Sequence, residues 1–355
     1  MEKQVTKEKL SNINIEGFKS LISVSDMEKE NPISSKAAAT LSEGRKRFID
    51  VLNDKDKRFI VVIGPCSIHD VDAAKEYATK LKALSEKVGD QILIFMRTYF
   101  EKPRTALGWK GLINDPNLDG SFDIDKGLKV ARKLLLDLAE MGVYTATELL
   151  DPITAAYLAH LVTWAAIGAR TTESQIHREM VSGLSIPVGF KNATNGDLNV
   201  ALNAIKSASH PHRFLGTNDD GRISVIHTKG NKNTHIVLRG GIGRPNYSPE
   251  EIKKAEQALK EFSFPLKIMV DCSHDNSGKN HEKQSGVVSD ILSQKKNGCS
   301  SIFSIMLESN LKPGNQKLEK DGKGLVRGVS ITDKCIGWEE TEEIVLEAHR
   351  VLSSL

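Results

Sequence analysis

The sequence predicts an α/β protein, a closed (β/α)8 barrel that carries an N-terminal extension and an inserted β-hairpin. Short apolar runs alternate with amphipathic helical stretches from Arg58 onward, and this alternation is typical of βαβ units and a parallel sheet. Eight such runs occur, and the 355 residues exceed the roughly 250 of a typical barrel. An open, doubly wound sheet is the alternative.

Residues 1–56 precede the first predicted strand. They are polar, lysine-rich and only weakly periodic, and Asn31-Pro32 interrupts them. We therefore expect an extension here rather than a layer of the core, with the barrel over residues 57–355.

The predicted barrel strands are rich in β-branched and apolar residues, and several are uniformly apolar, as burial on both faces requires. They cover residues 59–64, 92–96, 144–148, 165–169, 188–191, 214–216, 268–271 and 302–307. Helical periodicity separates them. Leu128, Ala131 and Leu135, for example, lie on one face of a predicted helix that Gly142 ends.

The long gap after residue 216 contains two further β-rich segments, residues 223–228 and 235–239. Residues 229–233 between them are lysine, glycine and asparagine, a composition that favours a turn. We therefore predict an inserted hairpin at about 223–239. Asp219-Asp220-Gly221, just before it, is typical of a turn.

The composition excludes several classes of protein. With 39% hydrophobic and 27% charged residues, the chain is neither disordered nor collagen-like. Forty-nine basic residues against 46 acidic ones leave a net charge of +3, too small to indicate binding to nucleic acid or to a membrane surface. No apolar run approaches the ~20 residues of a spanning helix, and the start lacks the apolar core of a secretory signal. With only four cysteines, we expect a cytoplasmic protein with reduced thiols.

Ionisable or metal-binding residues follow nearly every predicted strand. The carboxyl ends of barrel strands share one face, so side chains far apart in the sequence can line one pocket. These residues are Cys66, Arg97, Glu148, Arg170, Lys191, Arg239, Asp271, His274, Glu308 and Asp333. We predict a functional site on this face.

Four of these residues form a mixed soft and hard donor set that suits a divalent Mn, Fe, Co or Zn ion. The set is Cys66, His274, Glu308 and Asp333. Cys272 lies two residues before His274 on the same strand face, and residue chemistry alone does not choose between it and Cys66.

Residues 97–105 place three cations in nine positions. Pro103 stiffens this segment, and Arg104 and Thr105 offer a fork of donors and a hydroxyl that match a phosphate. The cations of this segment and of the strand ends are Arg97, Lys102, Arg104, Arg170, Lys191 and Arg239. Because their charge exceeds that of one phosphate monoester, we infer two anionic substrates. The glycine-rich residues 239–244 lack a dinucleotide fingerprint, so we predict a loop there.

Several ordered motifs over essentially the whole length identify a family. They are GPCSIHD at 64–70, FEKPRT at 100–105, GARTTES at 168–174, GFKN at 189–192, LRGG at 238–241, DCSH at 271–274, ES at 308–309 and SITD at 330–333. The chain resembles the feedback-inhibited bacterial and fungal 3-deoxy-D-arabino-heptulosonate 7-phosphate (DAHP) synthases. The resemblance implies a metal-dependent condensation of phosphoenolpyruvate with erythrose 4-phosphate, the first step of the shikimate pathway.

The resemblance also implies roles for individual residues. The metal ligands would be Cys66, His274, Glu308 and Asp333, rather than Cys272. Phosphoenolpyruvate would bind Arg97, Lys102, Arg170, Lys191 and Arg239, and the phosphate of erythrose 4-phosphate would bind Arg104 and Thr105. The catalytic candidates are Cys66, His274, Lys102 as proton donor to the new alkoxide, and Glu148 as an aid to water addition.

The extension and hairpin serve subunit contact and allostery in this family. By resemblance, we expect a homodimer or homotetramer and an aromatic amino-acid effector near Asp151, Leu184, Phe214 and Gly216, with a contribution from a neighbouring subunit's extension. Gly216 stands where phenylalanine-sensitive relatives tend to carry serine, so tyrosine is the favoured effector, because its hydroxyl needs room.

Two other functions compete with this one. The related octulosonate 8-phosphate synthases use arabinose 5-phosphate, but Lys102-Pro103-Arg104-Thr105, the extension and the hairpin argue against them. An inactive regulatory paralogue would sense an aromatic amino acid on the same fold. No expected ligand residue is missing here, which argues against that alternative.

Overall fold

The computed structural model describes residues 10–319 and 322–355. Within these ranges eight parallel strands close a barrel, in the order β1-β10-β9-β8-β5-β4-β3-β2. The barrel strands are β1 (Phe59–Gly64), β2 (Ile92–Arg97), β3 (Thr145–Glu148), β4 (Trp164–Ile167), β5 (Val188–Lys191), β8 (Thr234–Leu238), β9 (Ile268–Asp271) and β10 (Ile302–Glu308). The predicted fold class, a (β/α)8 barrel, is confirmed.

Helices cover the outside of the barrel and bury their apolar faces against it. They are α1 (Val24–Glu30), α2 (Ser35–Leu52), α3 (Val71–Lys87), α4 (Ile124–Glu140), α5 (Pro152–Leu158), α6 (Gln175–Gly183), α7 (Asn199–Ala208), α8 (Pro249–Glu261), α9 (Gln284–Lys296) and α10 (Trp338–Leu352). In the described ranges, none of these helices has the length and apolar character needed to cross a membrane.

The hairpin lies earlier in the chain than predicted. β6 (Arg213–Thr217) pairs antiparallel with β7 (Ile223–His227), whereas β8 pairs in parallel with β5 and β9. The prediction of 214–216 as a barrel strand and of 223–239 as the hairpin was therefore wrong. Residues 235–238 of β8 are buried, as an inner parallel strand requires, while the residues of β6 are exposed or half-buried.

The turn of this hairpin is the one that the sequence predicted between residues 219 and 221. Asn218 donates its backbone N–H to the carbonyl of Arg222 at 3.0 Å, which closes the loop. Gly221 has φ +76°, a conformation that favours glycine. A correctly predicted turn was thus assigned to the wrong pair of strands.

Part of the extension belongs to the core, which also corrects the prediction. α2 lies across the amino-terminal end of the barrel, where the Phe48 ring is fully buried. It packs edge-to-face on Phe95 at 5.3 Å and stacks on Trp164 at 5.9 Å between ring centroids. This end of the barrel interior is apolar and needs a cover, and α2 supplies it. Residues 10–21 are largely exposed, in keeping with an extension, and residues 1–9 lie outside the described residues.

Candidate functional site

A cavity of about 310 Å³ opens at the carboxyl ends of the barrel strands. Because the strands are parallel, this face gathers side chains from all parts of the sequence. The predicted site residues that line the cavity are Lys102, Arg104, Thr105, Glu148, Arg170, Lys191, Arg239, His274 and Asp333. Three more are buried. Cys66 contacts Lys102 and Asp333, and Arg97 pairs with Glu308.

Arg97 ends β2 and is completely buried. Its Nη2 donates to Glu308 Oε1 at 3.0 Å, and its Nε donates to the carbonyl of Pro65 at 3.3 Å. Burial opposes the charge of Arg97, but nearby acidic groups, Glu308 among them, outweigh that effect and raise its pKa. The guanidinium is therefore a fixed positive charge below the cavity.

Cys66 lies close to two carboxylates. Its Sγ is 3.7 Å from Asp333 Oδ2, and donor atoms of Cys66, Glu308 and Asp333 all lie within 4.8 Å of one another. Burial and the charge of Glu308 raise the pKa of the thiol to about 11. One thiol and two carboxylates in this arrangement fit a divalent transition metal ion.

Cys272 lies outside that group of donor atoms. Its Sγ instead contacts the backbone carbonyl of Val270, two residues earlier, at 3.7 Å. Of the two cysteines that residue chemistry could not distinguish, Cys66 has the carboxylate neighbours that a metal site needs.

His274 lines the same cavity but does not join the three-residue donor group. Its Nδ1 is 2.7 Å from Oδ2 of Asp271, a buried carboxylate that also accepts hydrogen bonds from Ser273. Such a contact fixes the orientation of the imidazole and leaves its Nε2 as the nitrogen for a ligand. The metal-binding role of all four residues stays a prediction.

Lys191 forms two ion pairs at the end of β5. Its Nζ lies 3.2 Å from Glu148 Oε2 and 3.5 Å from Asp271 Oδ2. Burial opposes both charges, yet the pairing raises the pKa of Lys191 and lowers that of Glu148. Gly168 makes room for this carboxylate, because a Cβ there would lie 2.7 Å from Glu148 Oε1.

Two more arginines flank the cavity. Arg239 forms an ion pair with Asp275, and its backbone N–H donates to Asn192 Oδ1 at 2.8 Å. Arg170 is exposed at the mouth, where its Nη2 donates to Thr105 Oγ1 at 3.2 Å. The proposed binding residues for the two substrates therefore touch each other.

The segment that carries Lys102 and Arg104 is tied down at its base. The backbone N–H of Lys102 donates to the carbonyl of Lys110 at 2.8 Å. The Nζ of Lys102 donates to Sγ of Cys66 at 3.1 Å and to its carbonyl at 3.2 Å. Arg104 and Thr105 remain exposed to solvent. One end of the segment thus meets the donor group and the other is free to meet a ligand.

Sequence reasoning missed four further residues at this site. Lys279, Thr194 and Thr332 line the cavity, and Tyr99 lies beneath it against Arg97. Lys279 has φ +59°, an uncommon backbone conformation for a residue with a Cβ. Tyr99 lies two residues after the end of β2, so the rule that found Arg97 could have found it, had aromatic residues been included.

The four predicted effector residues lie away from this cavity. Asp151 accepts the backbone N–H of Ile153 at 2.7 Å and begins α5, which packs against β6. Phe214 and Gly216 share the half-buried face of β6, and Leu184 follows the end of α6. Their role stays a prediction.

Comparisons with known proteins agree with this geometry. The DAHP synthetase I family matches residues 26–346. The Tyr-sensitive phospho-2-dehydro-3-deoxyheptonate aldolase of Escherichia coli (strain K12) is 47% identical over 347 residues, 98% of this chain and 97% of that protein. The Phe-sensitive enzyme of the same strain is 49% identical over 333 residues, 94% of this chain and 95% of that protein.

A solved structure shares the whole fold. The phospho-2-dehydro-3-deoxyheptonate aldolase from Francisella tularensis SCHU S4 is 50% identical and has a TM-score of 0.93, covering 96% of this chain and 99% of that one. The family predicted from the motifs is therefore confirmed over nearly the full length. The chain belongs to the DAHP synthetase I family.

Proposed function

We propose that the enzyme condenses phosphoenolpyruvate, erythrose 4-phosphate and water to DAHP and inorganic phosphate, the first step of the shikimate pathway. The observation that carries this proposal is a single cavity in which a cysteine and carboxylate donor group adjoins a cluster of cations. Membership of the family and the names of the relatives support it.

Phosphoenolpyruvate brings about three negative charges, from its phosphate and carboxylate, and needs several cations before it can enter a partly buried pocket. We assign it to Arg97, Lys102, Arg170, Lys191 and Arg239. Arg97 and Lys191 already have buried carboxylate partners, so their positions are fixed before the substrate arrives.

Erythrose 4-phosphate brings a second phosphate, which we assign to Arg104 and Thr105. These residues are exposed at the mouth, and Thr105 accepts a hydrogen bond from Arg170. The two phosphate sites are therefore adjacent, as a reaction between the two substrates requires.

A divalent ion of Mn, Fe, Co or Zn would be held by Cys66, His274, Glu308 and Asp333. When bound, it supplies a Lewis acid for the aldehyde oxygen of erythrose 4-phosphate. Lys102 contacts the sulfur of Cys66, and Cys66 together with Glu308 raises the pKa of this lysine against the opposing effect of burial. The ammonium is therefore protonated and lies beside the metal-binding residues.

The reaction then balances as follows. C3 of phosphoenolpyruvate forms a bond to the aldehyde carbon, and Lys102 gives a proton to the aldehyde oxygen. Water adds at C2, and Glu148 accepts a proton from it, since its pKa is held low by Lys191 and Lys102 despite burial. The new C2 hydroxyl then becomes the C2 carbonyl as the C2–O bond to the phosphate breaks. Phosphate leaves with that oxygen and its bonding electrons, and it takes up the hydroxyl proton.

Regulation by an aromatic amino acid, with tyrosine favoured, is the second part of the proposal. The site would involve Asp151, Leu184, Phe214 and Gly216, together with residues 1–56 of a neighbouring subunit. A Cβ at Gly216 would lie 2.9 Å from Ile226 Cγ1, so a larger residue here would crowd this face of the strand.

A homodimer or homotetramer would bring the extension of one subunit to the proposed effector residues of its neighbour. Phe18 is 82% exposed and Leu215 on β6 is 77% exposed, and exposed apolar side chains of this size favour contact with a partner.

One assay tests the proposed function. Phosphate release from phosphoenolpyruvate is measured with erythrose 4-phosphate or arabinose 5-phosphate, each with and without a chelator. We expect phosphate release with erythrose 4-phosphate and not with arabinose 5-phosphate. This release should be lost on chelation and restored by Mn²⁺. Preference for arabinose 5-phosphate would indicate an octulosonate 8-phosphate synthase. Absence of release with either sugar, together with tyrosine binding, would indicate a regulatory paralogue.

A further inference from the structure

One aromatic ring lies beside three of the cations assigned to phosphoenolpyruvate. The guanidinium carbon of Arg97 is 3.8 Å from the centroid of the Tyr99 ring. The Nζ atoms of Lys191 and Lys102 are 5.8 Å and 5.9 Å from the same centroid. All three distances are within the ~6 Å range of cation–π attraction.

The ring is 1% exposed, so these contacts are made out of water, where cation–π attraction is strongest. Three cations around one point repel each other. Carboxylates already pair with Arg97 and Lys191, and a further carboxylate at this point would offset more of the positive charge that an anionic substrate needs. A neutral ring attracts the cations through its quadrupole and leaves their charge available.

The hydroxyl group of Tyr99 makes a weaker contact than the ring does. Its oxygen is 3.7 Å from Met306 Sδ, a poor acceptor. Burial raises the pKa of Tyr99 despite the nearby charges of Arg97 and Lys191, so the side chain remains a neutral phenol. The contacts that distinguish this side chain are therefore those of its ring face and edge.

We propose that Tyr99 is a positioning residue whose ring holds Arg97, Lys102 and Lys191 together as one binding site for phosphoenolpyruvate. The inference deepens the proposed function and rests on its assignment of these cations. It makes the ring, and not the hydroxyl, the functional part of Tyr99.

The first experiment compares Tyr99→Leu with Tyr99→Phe. Loss of the ring should raise the KM for phosphoenolpyruvate about tenfold, with at most about a twofold change in the KM for erythrose 4-phosphate. Tyr99→Phe keeps the ring and should restore a KM close to that of the natural chain. Phe100→Leu is the matched control, because Phe100 is equally buried in the same segment and lies in the apolar core.

A second experiment keeps the shape of the ring and changes only its electrostatics. Phenylalanine with one, two or three fluorine atoms is placed at position 99, and calorimetry measures the Kd for phosphoenolpyruvate without the second substrate. Each added fluorine weakens the ring quadrupole, so the Kd should rise stepwise. This series gives an answer even where Tyr99→Leu does not fold.

Three results would overturn the inference. One is a Kd that is indifferent to fluorination. Another is Tyr99→Phe losing as much affinity as Tyr99→Leu, which would make the hydroxyl the functional part. The third is an equal rise in the KM for phosphoenolpyruvate in Phe100→Leu, which would mean that Tyr99 contributes only general packing. Failure of the proposed function is recognised separately, as phosphoenolpyruvate binding to the natural chain without any condensation.

Discussion

Glu101 provides a test of the electrostatics around residues 97–105. This carboxyl precedes Lys102, is 6% exposed, and accepts a hydrogen bond from Thr154 Oγ1 at 3.3 Å. It also accepts the backbone N–H groups of Leu150 and Asp151. Burial and the charge of Asp151 raise its pKa from 4.5 to about 7. The perturbation is Glu101→Gln, which keeps the shape and removes the charge.

The magnitude follows from the two pKa values of Glu101. Between pH 4.5 and 7 the folded chain holds this proton and the unfolded chain has lost it. Stability therefore falls as the pH rises through this window. At about 1.4 kcal/mol per pH unit, ionisation costs about 3 kcal/mol of unfolding free energy by pH 8. The amide of the variant escapes this cost.

The assay is urea unfolding of the natural chain and of Glu101→Gln at pH 5 and at pH 8. The stability of the variant relative to the natural chain should rise by about 2.5 kcal/mol between the two pH values, because a small part of the effect is already present at pH 5. Glu261→Gln, at an exposed position of α8, measures the effect of changing a carboxylate to an amide. A relative stability that does not change with pH, or that changes in the opposite direction, would refute the reasoning.

Three further outcomes test the site assignments. Cys66→Ala should abolish turnover with added Mn²⁺ after chelation, whereas Cys272→Ala should largely spare it; the reverse result would exchange the two ligands. Arg104→Ala should raise the KM for erythrose 4-phosphate roughly ten- to a hundredfold, because a charge-assisted hydrogen bond is lost. Arg170→Ala should raise the KM for phosphoenolpyruvate by a similar factor for the same reason. Equal effects on both substrates in both variants would contradict this division. Tyrosine should inhibit roughly tenfold better than phenylalanine, and Gly216→Ser should reverse or remove that preference in inhibition curves; an unchanged preference would exclude Gly216 as the selector.

Local patterns predicted most of the barrel because each strand had to satisfy them. Continuous apolar runs such as β1 are buried along their whole length. The helix predicted through Leu128 ends just before Gly142, and the φ of Gly142 is +76°. The ionisable residues at strand ends reached one cavity because parallel strands present their carboxyl ends together.

The errors arose where local patterns conflict with tertiary context. β6 and β8 both have strand-forming sequences, and only pairing with β5 and β9 distinguishes the barrel strand from the hairpin. The mean polarity of residues 1–56 concealed the apolar face of α2, where Phe48 is fully buried.

Roles that depend on contacts with other residues were also missed. Asp271 stands at a strand end, but its value lies in contacts with Lys191 and His274, which no spacing in the sequence reveals. Tyr99 is similar, because its neighbours are cations from two separate segments, residues 97–105 and the end of β5.

The position of α2 limits how the extension can be separated from the rest of the enzyme. Deletion up to residue 56 would remove α2 from one end of the barrel and expose the aromatic rings around Trp164 to water. The extension therefore cannot be transplanted or removed as a unit, since α2 is a structural part of the barrel. Deletions meant to abolish feedback control while preserving catalysis must end before Ser34, whose hydroxyl accepts the Ala37 N–H at the start of α2.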